Sequence, residues 1–573
     1  MHDLVIRGGT IVDGSGAPRF TGDVAVDGGR LSQVGGTAGA GRREIDATGA
    51  LVTPGWVDVH THYDGQVTWD PYCIPSSWHG VTTVMMGNCG VGFAPVKPDR
   101  HDWLIGLMEG VEDIPGAALS EGIRWEWETF AEYLDALAKK PLAIDIGAQV
   151  PHGALRVYAM GERGVPDDSV ATPEDIAAMA AELRAALAAG AFGFSTSRTL
   201  IHRGADGKLV PGTFAGRDEL FGLGRVLAEA GHGVFQMTSN HIDMPAETEW
   251  MMDLARETRR PVLFNLQQID QAPDLWLKLV ARLDEARAQG VPLIGAIPGR
   301  PAGVLYGWRA SSHPFHFHAT WRATAHLPIA QRIAAMAEPA ARAALLAEDV
   351  PVRDERAAFM LRSFAKMYQV DPAAPNYEPA PADSAEAVAR ARGTSPFAVV
   401  YDWMMADGGN GLVYFPIFNY SYHDFSHLHR LLQHPGTMLS LGDGGAHVGY
   451  ITDAGLPTFM LTHWTRDRHR GPTLPLEDIV RRQTSHTAQV YGLHDRGLLK
   501  PGLRADLNLI DYAQLRSEAP RMAYDLPGGG KRLLQQASGY LATIVAGAPI
   551  FESGEATGAL PGALLRSRAA QPS

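Results

Sequence analysis

The chain has 573 residues, with 50 Lys+Arg against 63 Asp+Glu for a net charge of −13, and is 45% hydrophobic and 20% charged. That length suits one large catalytic barrel with appendages or two to three smaller domains, and the composition excludes disorder as the main state. An acidic balance without a Lys/Arg block excludes nucleic acid as a partner, and a start (MHDLVIRGGT) unlike a secretory signal, with no long apolar run after it, points to a cytoplasmic protein without a membrane span.

From the N-terminus, DLVIRGGTIVD (3–13), GDVAVD (22–27) and 30–34 alternate apolar and polar residues between Gly-rich turns, the pattern of a small antiparallel sheet. The same texture returns in ADLNLID (505–511) and GYLATIVAGAPIFESGEATG (539–558), so both termini are expected to build one small β-sandwich, residues 1–53 plus 495–573. Between them, apolar runs at 54–60, 80–87, 142–149, 191–196, 233–238, 261–266, 291–297, 411–416 and 437–442 alternate with helical patterns. One helix starts at the N-cap Thr172 with Pro173 in its first position, buries a stripe through Met179 and Leu183, and stops at Gly190. A second runs from about Asp218 to Ala230 and stops at Gly231. Strand–helix alternation of this kind implies α/β architecture, a (β/α)8 TIM-like barrel over 54–494, with one of the nine strand candidates outside it. Ala-rich helices and a Pro-rich turn over about 299–400 mark a helical insertion.

Chemistry concentrates at a few places. In PGWVDVHTHYD (54–64), His60 and His62 stand two apart at a strand end, so both imidazoles face one side, which at the carboxyl end of a barrel strand is the active-site mouth. Two converging imidazoles make half a zinc site, although an isolated pair in a surface turn reads the same way. Cys89 closes a strand in GVTTVMMGNCGVG (80–92), where a thiolate can bind metal but a buried thiol is commonly inert packing. Asp443 ends a late strand in LSLGDGGAHVG (439–449), a position shared by ligands and by ordinary turn aspartates. The two cysteines, Cys73 and Cys89, exclude a disulfide framework. No P-loop, dinucleotide fingerprint or GxSxG elbow is present.

Taken in order, DLVIRGGTIVDGSG, PGWVDVHTHYD, GVTTVMMGNCG, AGAFGFSTS, LGDGG, GLLKPGLRADLNLID and TGALPGALLR resemble the amidohydrolase superfamily and, within it, the D-aminoacylase (N-acyl-D-amino-acid deacylase) family over almost the whole chain. The resemblance implies hydrolysis of an amide C–N bond by metal-activated water, with an aspartate carrying the proton to the leaving nitrogen. It further implies His60 and His62 as metal ligands, Cys89 in place of a bridging carboxylated lysine, and Asp443 as ligand and general acid/base. Thr238 and Gln267 stand near where the family carries two more histidine ligands, and the family's substrate-carboxylate lysine is missing. One principal zinc ion is therefore expected, with a second possible, and a small-molecule linear amide as substrate. Cyclic amides, or a metal-poor binding module, are the competing readings.

Among the remaining polar residues, Arg198, His202, His447 and His152 are candidates for substrate contacts at the mouth. His241 lies three residues beyond Thr238, and His313, His316 and His318 have ligand-like spacing within the insertion.

Overall fold

The computed structural model describes residues 1–166 and 168–569. Alternating apolar side chains at each end of the chain close onto one nine-stranded sheet. His2–Ile11 pairs antiparallel with Phe20–Asp27 and parallel with Leu51–Pro54, which in turn pairs antiparallel with Leu507–Ile510, followed by Tyr540–Val545 and Ala548–Glu552. Leu4, Ile6, Val24, Val52, Leu507 and Ile544 are buried together on its inner face. The first strand bends at Gly8, where φ is +64°, and its two halves serve different neighbours: His2–Arg7 lies along Gly41–Asp46 and Thr10–Ile11 along Leu51–Pro54.

Eight of the nine strand candidates fall on parallel strands. Trp56–Asp58, Val81–Met86 and Asp145–Ala148 form one set, while Val150–Pro151, Gly193–Ser197, Val234–Thr238, Val262–Asn265, Leu293–Ile297 and Thr437–Leu439 form another. The chain passes from the first set to the second across Gln149, and a parallel bridge between Thr61 and Gly444 links the strand that opens the series to the segment after the strand that closes it. The ninth candidate, 411–416, lies elsewhere. Val413–Pro416 runs antiparallel to Gly303–Tyr306 and to Tyr368–Gln369, and Val413 and Phe415 are buried with Trp308, Phe315, Trp321 and Tyr401. The insertion, together with the segment through Pro416 that follows it, thus has a sheet and an apolar core of its own.

The helices follow their caps. Pro173–Ala189 starts with a reciprocal pair of hydrogen bonds between Thr172 and Asp175 and ends at Gly190, φ +110°. Arg217–Ala230 ends at Gly231 in the left-handed conformation. No helix among the described residues is long and apolar enough to cross a membrane.

A buried ion cluster fastens the terminal sheet to the parallel strands. Asp145, at a strand start and fully buried, meets Arg496 Nη1 at 2.6 Å and Arg504 Nε at 2.8 Å, and both arginines also approach Asp506, at 3.6 and 3.3 Å. The C-terminal tail joins the same strand, with Ala563 N donating to Asp145 Oδ1 and Leu565 N to Ile146 O. Removing Asp145, the nearer of the two carboxylates that both guanidiniums share, leaves buried positive charge undercompensated. Asp145→Ala is expected to lose about 3–5 kcal/mol of stability in urea denaturation, and a loss below about 1 kcal/mol would show that the cluster is dispensable.

Candidate metal centre

The segment carrying His60 and His62 is fixed from both sides. Thr61 donates through its N–H and its hydroxyl to Met85 O, at the end of Val81–Met86, while His62 N donates to Gly444 O and Asp443 N to His60 O. The two histidines flank a residue that faces the neighbouring strand, so both rings turn to the opposite side, with centroids 5.5 Å apart. Close approach explains the Gly-Gly after Asp443: a Cβ at Gly445, φ +84°, would lie 2.8 Å from His62 O, and one at Gly444 would lie 2.4 Å from Ser76 Oγ.

Cys89 adopts a left-handed backbone, φ +58°, with its N–H donating to Gln236 Oε1 and Asn88 Nδ2 donating to Thr61 O and Met85 O. His60 Nε2 then stands 3.2 Å from Cys89 Sγ and 3.3 Å from Asp443 Oδ1. Ligand atoms of His60, His62 and Cys89 all lie within 4.8 Å of one another, the one such group of three among the described residues. Asp443, His241 and His447 are also non-glycine residues at positive φ, 46°, 46° and 47°, so backbone strain gathers around this point.

A residue that the sequence did not single out completes the cluster. Glu112 ends the helix His101–Glu112 and is fully buried, its Oε1 3.2 Å from His62 Nδ1 and its Oε2 3.8 Å from His447 Nε2. Neither carboxylate oxygen has a hydrogen-bond partner among the described residues. Burial pushes the Glu112 and Asp443 carboxyls and the Cys89 thiol well above their ordinary ranges, and Asp443 raises both Glu112 and Cys89 further. Burial likewise lowers His60 to about 3 and His62 well below its usual value. Three acidic groups beside two neutral imidazoles, with no cation among them, make a donor set that fits a divalent metal ion.

These four predicted residues lie in the wall of a cavity of about 760 Å³. His202 and His447 share that wall, their rings 6.1 Å apart, with burial holding them near 3 and 4. Thr238 and Gln267 line it as well, and so does His241, whose ring packs 4.7 Å from Phe418. Two expected substrate contacts are corrected. Arg198 makes a two-pronged pair with Glu247, both N···O distances 3.1 Å, donates to Ala215 O, and lies outside the cavity wall. His152 is buried between Glu219 Oε1, at 2.9 Å, and Thr196 Oγ1, at 2.8 Å, outside the cavity wall. Of the insertion's histidines only His316 reaches the cavity, since His313 packs against Trp308 and Trp321 and His318 against Phe315 and Phe397.

Comparison with known proteins gives a consistent picture. The profile of a family described as the amidohydrolase family matches residues 43–551. D-aminoacylase of Alcaligenes xylosoxydans xylosoxydans is 28% identical over 574 residues, covering 99% of this chain and 98% of that protein. Among solved structures, N-acyl-D-glutamate deacylase from Bordetella bronchiseptica, complexed with zinc and a phosphonate inhibitor, superposes with a TM-score of 0.64 at 25% identity, covering 99% of this chain and 100% of its own. A crystal structure of D-aminoacylase superposes with the same TM-score at 24% identity and the same coverage.

Glu112 Oε1 stands 3.2 Å from His62 Nδ1, close enough to act on the centre through its charge although the pair makes no hydrogen bond. Glu112→Gln is expected to weaken divalent-ion affinity roughly 10–100-fold in competition with a chromophoric chelator, and unchanged affinity would remove Glu112 from the centre.

Proposed function

This chain belongs to the amidohydrolase family, and from that premise we propose that it is a metal-dependent hydrolase of the linear amide bond in N-acylated amino acids or related amines. The observation that carries this reading is the meeting of His60, His62, Cys89 and Asp443 in the wall of one large cavity. The full-length likeness to D-aminoacylase supports a linear over a cyclic amide.

We infer that the two sets of parallel strands, bridged at Thr61 and Gly444, close into a (β/α)8 barrel over 54–494, with residues 1–53 and 495–573 as a β-sandwich beside it. In a barrel of this kind the carboxyl ends of the strands carry the reacting groups, which is where His60, Cys89 and Asp443 follow their strands.

Two imidazoles, a thiolate and a carboxylate suit zinc, and poor ligands at Thr238 and Gln267 favour one principal ion. Bound there, such an ion supplies Lewis acidity that polarises an amide carbonyl and acidifies water. Asp443 remains partly open to the cavity, its side chain 20% exposed against 2% for His60, so its free edge can take a proton from water and return it to the leaving nitrogen. His202 and His447, kept neutral by burial, can hydrogen-bond the amide or a substrate carboxylate without carrying charge themselves. Glu112, 3.2 Å from His62, adds a further acidic group beside the ligand set.

Elemental analysis of protein purified without chelator, combined with turnover of N-acyl amino acids and of hydantoins, tests this reading. About one zinc per chain is expected, with hydrolysis of the N-acyl amino acids and a kcat roughly 10²–10⁴-fold lower for Asp443→Asn. Metal-free protein, or ring opening without deacylation, would contradict it.

A further inference from the structure

The cavity that holds the metal cluster has a volume of about 760 Å³ and is apolar over much of its wall. Away from the cluster its wall is built by Ile269, Val304, Phe359, Met360, Ile417 and Phe418. Its rim carries Leu200, Ile201, Ile242 and Phe317, large apolar side chains that are 42%, 38%, 54% and 46% exposed. Scattered exposed apolar residues need no explanation, but four gathered around the mouth of one reactive cavity mark a site for an apolar ligand.

Charge points the same way. The lining contains no lysine, and its one arginine, Arg356, sits at the exposed rim with its guanidinium directed at Leu200 O and Ile201 O, 3.4 and 3.3 Å away. Arg198, next to the lining residue Thr199, is paired with Glu247. No cationic side chain lies in the lining away from the rim, so nothing there neutralises a second anionic group, whereas an alkyl chain meets a largely apolar wall interrupted by Asn265, Gln267 and Gln271. Much of that wall comes from the insertion: Val304 lies on Gly303–Tyr306, Phe359 and Met360 lie on the helix Glu355–Arg362, and Phe359 is braced against Phe415, 5.5 Å between ring centroids.

Building on the deacylase reading above, we propose that the substrate is an amide of a medium- or long-chain fatty acid, its alkyl chain lying along the insertion-built wall and its amide at the metal cluster. The chain belongs to the acyl side because no amino-acid side chain fills more than a fraction of about 760 Å³, while an acyl chain has no such limit. Hydrolysis adds water across the C–N bond: the acyl carbon gains hydroxyl and leaves as the fatty carboxylate, and the nitrogen gains a proton and leaves as the amine.

The test is a series of N-acetyl, N-butanoyl, N-octanoyl and N-dodecanoyl derivatives of one amino acid, assayed with the metal-loaded enzyme. Each methylene that reaches the wall raises kcat/KM by up to about 4-fold, so octanoyl is expected to exceed acetyl by on the order of 10²-fold or more. Calorimetry provides a readout independent of turnover, with octanoate binding more tightly than acetate and with a negative heat-capacity change. Phe317→Asp, which places a charge on an exposed rim residue, is expected to compress the octanoyl-to-acetyl ratio about 10-fold. Acetyl turned over as well as octanoyl would overturn this proposal and leave the deacylase reading standing, as would N-acetyl derivatives of Leu, Met or Phe matching the octanoyl substrate. Failure to hydrolyse any member of the series would overturn both.

Discussion

The structure is organised around a cluster of polar groups that cannot be left as they are. Cys89, Asp443 and Glu112 are acidic groups crowded against His60 and His62, and each is held away from its charged form by burial, with Asp443 adding to the effect on Glu112 and Cys89. Hydrogen bonds do not relieve this, because both Glu112 oxygens lack a partner among the described residues. A divalent cation would let thiolate and carboxylates ionise together. Unpaired buried charge is costly enough that such an arrangement persists only where it is used.

Holding that cluster together requires widely separated parts of the chain to arrive in register. His60 and His62 come from the first strand of the parallel series, Cys89 from the turn after the second, Glu112 from the end of the following helix, and Asp443 from the segment after the last. Backbone hydrogen bonds between His60–His62 and Asp443–Gly444 join the two ends of the series directly at the site. On the other side, Asp145 with Arg496 and Arg504, together with the C-terminal tail, ties the terminal sheet to the third strand. The insertion contributes no cluster residue. It builds its own core and lends the cavity part of its apolar wall through Val304, Phe359 and Met360.

How much of this the sequence revealed follows from how local each signal was. The alternation of side chains along a strand was enough to put His60 and His62 on one side, and Gly-rich turns after strands marked Cys89 and Asp443. Capping residues located Pro173–Ala189 to the residue at both ends. Where the outcome depended on a distant partner, sequence reading failed. Arg198 and His152 sit near strand ends as substrate-binding residues would, yet Glu247 and Glu219, 49 and 67 positions away, occupy them. Glu112 was invisible because a glutamate at a helix end reads as solvated; here distant segments meet it, His62 and His447 beside its carboxylate and Val448 N–H on its carbonyl. The strand candidate at 411–416 was indistinguishable by pattern from its neighbours, since an apolar run serves a parallel series and a separate antiparallel sheet equally well.

The central claim is that Cys89 and the two histidines form one metal centre with Asp443. X-ray absorption at the zinc edge on the purified protein addresses it most directly. A single class of zinc site is expected, with one sulfur ligand at about 2.3 Å and the remaining nitrogen and oxygen ligands at about 2.0–2.2 Å. A bound zinc surrounded only by nitrogen and oxygen would contradict it, as would a sulfur signal that survives Cys89→Ala.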